Sequence, residues 1–63
     1  MKSEVARKIE HLKMLKSMNR HAMVDDVLTA VRNMANGDFS DGVGEYYKGW
    51  TKADFVTLLK EVE

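Results

Sequence analysis

Apolar positions in the first third of the chain recur at helical spacing. The steps of three and four residues predict an amphipathic helix over residues 3–18. This segment contains no Gly or Pro and is rich in residues that favour helices. Its apolar stripe consists of Val5, Ile9, Leu12, Leu15 and Met18. The rest of the chain must cover that stripe.

A second apolar face predicts a helix over residues 22–36. Its members are Val24, Val27, Leu28, Val31, Met34 and Ala35. One continuous helix over residues 3–36 is the alternative, but at ~100° per residue the two stripes would lie well over a quarter turn apart. The charges also change from basic to acidic near position 22, which favours a helix end followed by a new helix start. We therefore expect a turn at residues 19–22, with Asn19 in the left-handed conformation.

A start signal and an apolar face predict the third helix over residues 51–62. Thr51 and Asp54 have the spacing of a capping box, with Asp in place of the preferred Glu or Gln. Trp50 and Phe55 have the spacing of a hydrophobic staple. The apolar face comprises Phe55, Val56, Leu58, Leu59 and Val62. The sequence thus predicts a single mainly α domain over residues 1–63, with three helices around one core.

The connection over residues 37–50 is rich in glycine and aromatic residues. Gly37 is expected to end the second helix with a positive φ. An ordered loop packed by its aromatics is the favoured prediction, and a short β-ribbon between residues 39–41 and 45–48 is the alternative. Because long ordered connections are more often functional than accidental, this loop is the first place to look for a site.

Composition and charge limit the classes of protein. The chain has 63 residues and no Cys, so neither disulfides nor thiolate metal sites can supplement a small core. No apolar run is long enough for a secretory signal or a membrane span, so we expect a cytoplasmic protein. The formal charge is zero, but residues 1–21 are mainly basic and residues 22–45 mainly acidic. The simplest explanation is that the two halves attract each other in the folded chain.

Candidate chemistry is sparse. The acidic residues near Asp38 do not match an EF-hand loop, because Gly and Glu are missing from the required positions. His11 and His21 are ten residues apart and cannot form the pair of a helical zinc site. Neither a phosphate-binding loop nor a nucleophile elbow is present. We therefore expect a non-enzyme with no cofactor and no metal.

A small protein-interaction module, able to bind another protein or a second copy of itself, is the first hypothesis. Trp50, Phe55, Met23 and Met34 are assigned to the core. Tyrosine is enriched at interface hot spots and methionine adapts to binding faces. The predicted partner-binding residues are therefore Tyr46 and Tyr47 as an exposed pair, then Phe39, and Met14 from the first helix. The alternative is that all five aromatic residues are buried in the monomer.

Nucleic-acid binding through the basic first helix is the second hypothesis. The predicted contacts are Lys2, Lys13, Lys16 and Arg20, which could follow a phosphate backbone. The turn at residues 19–22 resembles a helix-turn-helix corner. The acidic first turn of the second helix opposes this hypothesis, since base-reading residues are expected there.

A resemblance supports a third hypothesis. Residues 45–58, EYYKGWTKADFVTL, resemble the strand-to-helix segment of a small phage inhibitor of uracil-DNA glycosylase. The resemblance covers less than a quarter of the chain and does not extend to its helical N-terminal half. It implies a phage-type inhibitor of a host enzyme. A short chain without Cys or Pro is also compatible with a phage or mobile-element accessory protein.

Overall fold

Three α-helices form the domain, as predicted. The computed structural model describes residues 3–39 and 43–63. In these ranges α1 spans Ser3–Ser17, α2 spans His21–Ala35 and α3 spans Lys52–Val62, with a 3₁₀ helix at Val43–Tyr47. Neither of the two ranges contains a strand. Each helix packs against the other two, so the core lies at the centre of the bundle.

The turn between α1 and α2 depends on one left-handed residue. Asn19 has a φ of 61°, which confirms the predicted conformation. The Arg20 amide donates to the Leu15 carbonyl at 2.9 Å, and the Asn19 amide donates to the Lys16 carbonyl at 3.0 Å. These two bonds form a Schellman motif, which satisfies carbonyls at the end of α1. The chain can then reverse without a glycine.

Gly37 ends α2 with the same motif. Its φ is 89°, as the sequence predicts for the residue after a helix. The Asp38 amide donates to the Asn33 carbonyl at 2.9 Å, and the Gly37 amide donates to the Met34 carbonyl at 3.0 Å. This end directs the chain into the loop that carries the 3₁₀ helix.

The start of α3 has both predicted features. The Asp54 amide donates to Thr51 Oγ1 at 3.2 Å, and the Thr51 amide donates to Asp54 Oδ2 at 2.9 Å. The rings of Trp50 and Phe55 are stacked with their centroids 5.6 Å apart. The capping box and the hydrophobic staple together fix where the loop ends and α3 begins.

The core contains one face of each helix and one tyrosine from the loop. Met34 is buried as predicted, but the assignment of Met23 to the core is wrong, because its side chain is 50% exposed. Met23 lies in the first turn of α2, where its side chain remains half exposed. The buried residues are Val5, Ile9, Leu12, Val24, Leu28, Val31, Met34, Tyr47, Phe55, Leu58 and Val62.

Basic side chains from α1 and α2 meet the C-terminal end of α3. Lys16 Nζ donates to the Val62 carbonyl at 2.8 Å, and Lys13 Nζ lies 3.6 Å from Glu61 Oε2. A hydrogen-bonded ion pair joins Arg32 to Glu63. Cations are favourable at a helix C-terminus, so these contacts stabilise α3. Lys13 and Lys16 therefore contact α3; the attraction between the basic and acidic halves stays a prediction.

Candidate functional site

Adjacent tyrosines in the 3₁₀ helix differ sharply in exposure. Tyr46 is 81% exposed, whereas Tyr47 is 8% exposed. A 3₁₀ helix has three residues per turn, so neighbouring side chains lie about 120° apart and one can be buried while the next faces solvent. The prediction of an exposed pair is therefore wrong for Tyr47. The alternative β-ribbon does not form at residues 45–47, and its residues 40 and 41 lie outside the described residues.

Tyr47 belongs to an aromatic cluster that attaches the 3₁₀ helix to the bundle. Its ring centroid lies 5.0 Å from that of Trp50 and 6.0 Å from that of Phe55, both in edge-to-face geometry. Lys8 Nζ from α1 lies 5.6 Å from the Tyr47 ring centroid, a cation–π contact. Burial raises the pKa of the Tyr47 hydroxyl above its ordinary value. The 3₁₀ helix is thus fixed to both α1 and α3 through one side chain.

A first groove lies between α1 and the 3₁₀ helix and has a volume of about 380 Å³. Its α1 residues follow the spacing of one exposed helix face. We call it the basic groove because Arg7 and Lys8 carry its cations. Its lining consists of Glu4, Arg7, Lys8, His11, Tyr46, Tyr47 and Trp50. Aromatic rings and cations therefore lie side by side in it.

A second groove lies on the α2 side of Tyr46 and has a volume of about 360 Å³. It is lined by Lys8, Asp26, Val27, Ala30, Tyr46 and Tyr47, and we call it the apolar groove. The two grooves share Lys8 and both tyrosines. Tyr46 therefore stands at the boundary between them, and we call Tyr46 with the two grooves the Tyr46 surface.

The two grooves carry charges of opposite sign that have no partner among the described residues. The side chains of Arg7 in the basic groove and Asp26 in the apolar groove make no hydrogen bond or ion pair with any residue that the structure describes. Both side chains are exposed, so water solvates them in the monomer. A binding partner could supply a counter-charge to each of them.

The other predicted partner-binding residues are exposed but lie elsewhere. Phe39 is 53% exposed and Met14 is 51% exposed, and neither lines the two grooves. The ring of Phe39 lies against Gly44, where an added Cβ would be 3.3 Å from Phe39 Cδ1. The structure therefore brings together Tyr46 and Tyr47 from the predicted set, and separates Phe39 and Met14 from them.

Two of the four predicted nucleic-acid contacts are engaged with α3. Lys13 and Lys16 contact the end of α3, Arg20 is exposed in the turn before α2, and Lys2 lies outside the described residues. The cations that line a groove are instead Arg7 and Lys8, which the sequence did not single out. Arg7 and Lys8 follow Glu4 by three and four residues, so the sequence alone indicates that these residues share one helix face. The sequence does not indicate that the 3₁₀ helix packs beside that face.

Comparison with known proteins identifies no relative: no protein-family model, no curated protein and no solved structure matches the chain. Residues 45–47 lie in the 3₁₀ helix, so the strand implied by the resemblance to the phage inhibitor is not formed there. Across residues 3–39 and 43–63, no helix is long and apolar enough to cross a membrane. The same residues contain no cluster of three or more His, Asp or Glu side chains arranged to hold a metal ion.

Proposed function

We propose that this chain is a small, non-enzymatic protein-interaction module that binds its partner through the Tyr46 surface. The observation that carries the proposal is the contrast between neighbouring side chains. Tyr46 is 81% exposed, while Tyr47 beside it is buried in a cluster with Trp50 and Phe55. Tyr46 is thus an exposed aromatic residue on a backbone that the buried Tyr47 holds in place.

Such a presentation favours binding. A tyrosine has only two χ angles, so it gives a large amphipathic contact area at a low cost in conformational entropy. Because Tyr47 already fixes the backbone, less conformational entropy is lost when a partner binds. Tyrosines of this kind are frequent among the residues that dominate interface energies.

The shape of the grooves supports binding of a protein surface over catalysis. Both are open depressions on either side of one exposed ring, and each has room for one or two side chains. Enzyme sites commonly enclose most of their substrate and exclude water from it. An open surface with a central aromatic residue and charged margins is more typical of a protein interface.

Selection of peptides from a random-sequence display library tests the proposal, because such a library offers many candidate partners at once. The immobilised proteins are the wild type, Tyr46→Ala and Phe39→Ala. Phe39 is the matched control, because it is an exposed aromatic residue that lines neither groove. We expect the wild type and Phe39→Ala to enrich the same peptides. We expect Tyr46→Ala to bind those peptides at least about tenfold more weakly, as hot-spot truncations do. Equal enrichment by all three proteins, or none by a wild type that is monomeric in solution, would overturn the proposal.

The alternative hypotheses stay predictions. If the chain is a phage-type inhibitor, the partner that binds the Tyr46 surface is a host enzyme. Nucleic-acid binding would appear as retention on a DNA or RNA column that is lost steeply with salt. The engagement of Lys13 and Lys16 with α3 leaves fewer free cations for that role.

A further inference from the structure

We infer that the partner of the Tyr46 surface is a second copy of this chain, with a two-fold axis passing beside Tyr46. The inference rests on the proposed function and names its partner. In a two-fold dimer both copies use the same surface. A residue in one half of that surface therefore contacts a residue in the other half of the partner's copy of it. The Tyr46 surface has the distribution of charge and apolar groups that this symmetry requires.

Charge is the first argument. Arg7 lies in the groove on one side of Tyr46 and Asp26 lies in the groove on the other. Neither has a charged partner among the described residues of its own chain. Rotation by half a turn about an axis at Tyr46 brings Arg7 of one copy towards Asp26 of the other, and the same contact then occurs twice. The formal charge of zero adds no net repulsion between the copies.

Apolar surface is the second argument. The apolar groove is lined by Val27 and Ala30 of α2, and Met23 lies one helical turn before Val27. Met23 is 50% exposed in the monomer. In the dimer, the exposed ring of Tyr46 lies in the partner's apolar groove, and Met23 continues the same row of contacts.

The area that a dimer needs is available. A stable interface buries about 800 Å² on each partner, which is about a fifth of the 4287 Å² exposed by the described residues of this chain. A domain of this length buries only about 60% of the surface of its unfolded chain. Association of two copies therefore adds apolar burial that the small core cannot supply alone.

A charge-reversal cycle measured by analytical ultracentrifugation tests the inference. The dimer dissociation constant is measured over a series of chain concentrations for the wild type, Arg7→Glu, Asp26→Arg and the double variant. Each single reversal places like charges opposite each other at two symmetric contacts, so we expect each to weaken the dimer by at least about tenfold. The double variant restores opposite charges at both contacts and returns the constant to within about threefold of the wild type.

Matched controls separate this contact from general effects of charge. Arg20→Glu and Asp25→Arg make the same chemical changes at exposed positions that line neither groove. We expect both to dimerise as the wild type does, and the circular dichroism of every variant to show a folded helical domain. A wild type that is monomeric at all concentrations overturns the inference, as does a double variant no better than its parents.

The outcome also separates this inference from the proposed function. A monomer that still selects peptides through Tyr46 rejects the second copy and leaves the interaction module standing. A monomer that selects no peptides rejects both. A dimer that persists unchanged in Tyr46→Ala and Arg7→Glu forms through another face, which again rejects the inference.

Discussion

Replacement of Tyr47 and of Tyr46 by alanine should have opposite consequences for stability and binding. The two residues are chemically identical and adjacent in sequence, but Tyr47 is 8% exposed and Tyr46 is 81% exposed. Truncation of Tyr47 removes its ring contacts with Trp50 and Phe55 and leaves a cavity at the end of the core. Truncation of Tyr46 removes atoms that are mostly in water.

The magnitudes follow from burial. Truncation of a buried aromatic residue to alanine costs about 3–5 kcal/mol, which is the value we expect for Tyr47→Ala. An exposed substitution usually changes stability by no more than about 0.5 kcal/mol, which we expect for Tyr46→Ala. At about 0.05–0.15 kcal/mol per residue, a 63-residue domain has a total stability of about 3–9 kcal/mol. Tyr47→Ala therefore removes a third or more of it.

Urea unfolding followed by two signals measures both variants. Far-UV circular dichroism reports the helices, and the fluorescence of Trp50, the single tryptophan, reports the cluster around Tyr47. We expect a marked fall in the urea midpoint for Tyr47→Ala and an unchanged midpoint for Tyr46→Ala. In the peptide selection the order reverses, because a folded Tyr46→Ala loses the central ring of the Tyr46 surface.

Equal losses of stability for the two variants would refute this reasoning. Such a result would mean that Tyr46 contributes to the core as much as Tyr47 does. The 3₁₀ helix would then not separate a buried ring from an exposed one, and the basis of the proposed function would be lost.

Three further predictions concern stability and are measured by the same urea unfolding. Burial raises the pKa of Tyr47 above 10.0, so the unfolded state loses this proton at a lower pH than the folded state, and stability falls as pH rises above 10 through the raised pKa. Tyr47→Phe should remove that fall in stability, and Tyr46→Phe should retain it. Thr51→Ala removes the acceptor of the Asp54 amide and should cost about 1 kcal/mol, whereas Thr51→Ser, which keeps the oxygen, should cost less. Gly37→Ala should cost about 1 kcal/mol because of its positive φ alone, since an added Cβ meets no atom within 4 Å; Gly37→Asn should cost less, and no loss in Gly37→Ala would contradict the assigned φ.

The helices and their ends were predictable because their signals are local. The apolar spacing of each helix, the left-handed residues Asn19 and Gly37, and the capping box at Thr51 all act within a few residues of the chain. Each signal depends on backbone conformation or on a contact between near neighbours in sequence. The structure accordingly confirms three helices with ends close to those predicted.

The candidate site was only partly predictable, because its parts come from separate elements. The aromatic loop was identified from its composition, but burial of Tyr47 depends on contact with α1 and α3. The roles of Arg7 and Lys8 depend on which face of α1 the 3₁₀ helix covers. Lys13 was assigned to a free basic face, although it contacts Glu61, far along the chain.

By itself the sequence determined that this chain forms three helices, where they turn, and that its aromatic residues concentrate in one loop. Only the tertiary structure decided which of two adjacent tyrosines is buried, and which charged side chains pair with another of the described residues. The physical reason is that helix periodicity and capping are properties of a short segment, whereas burial and charge pairing depend on residues that folding brings together from different segments.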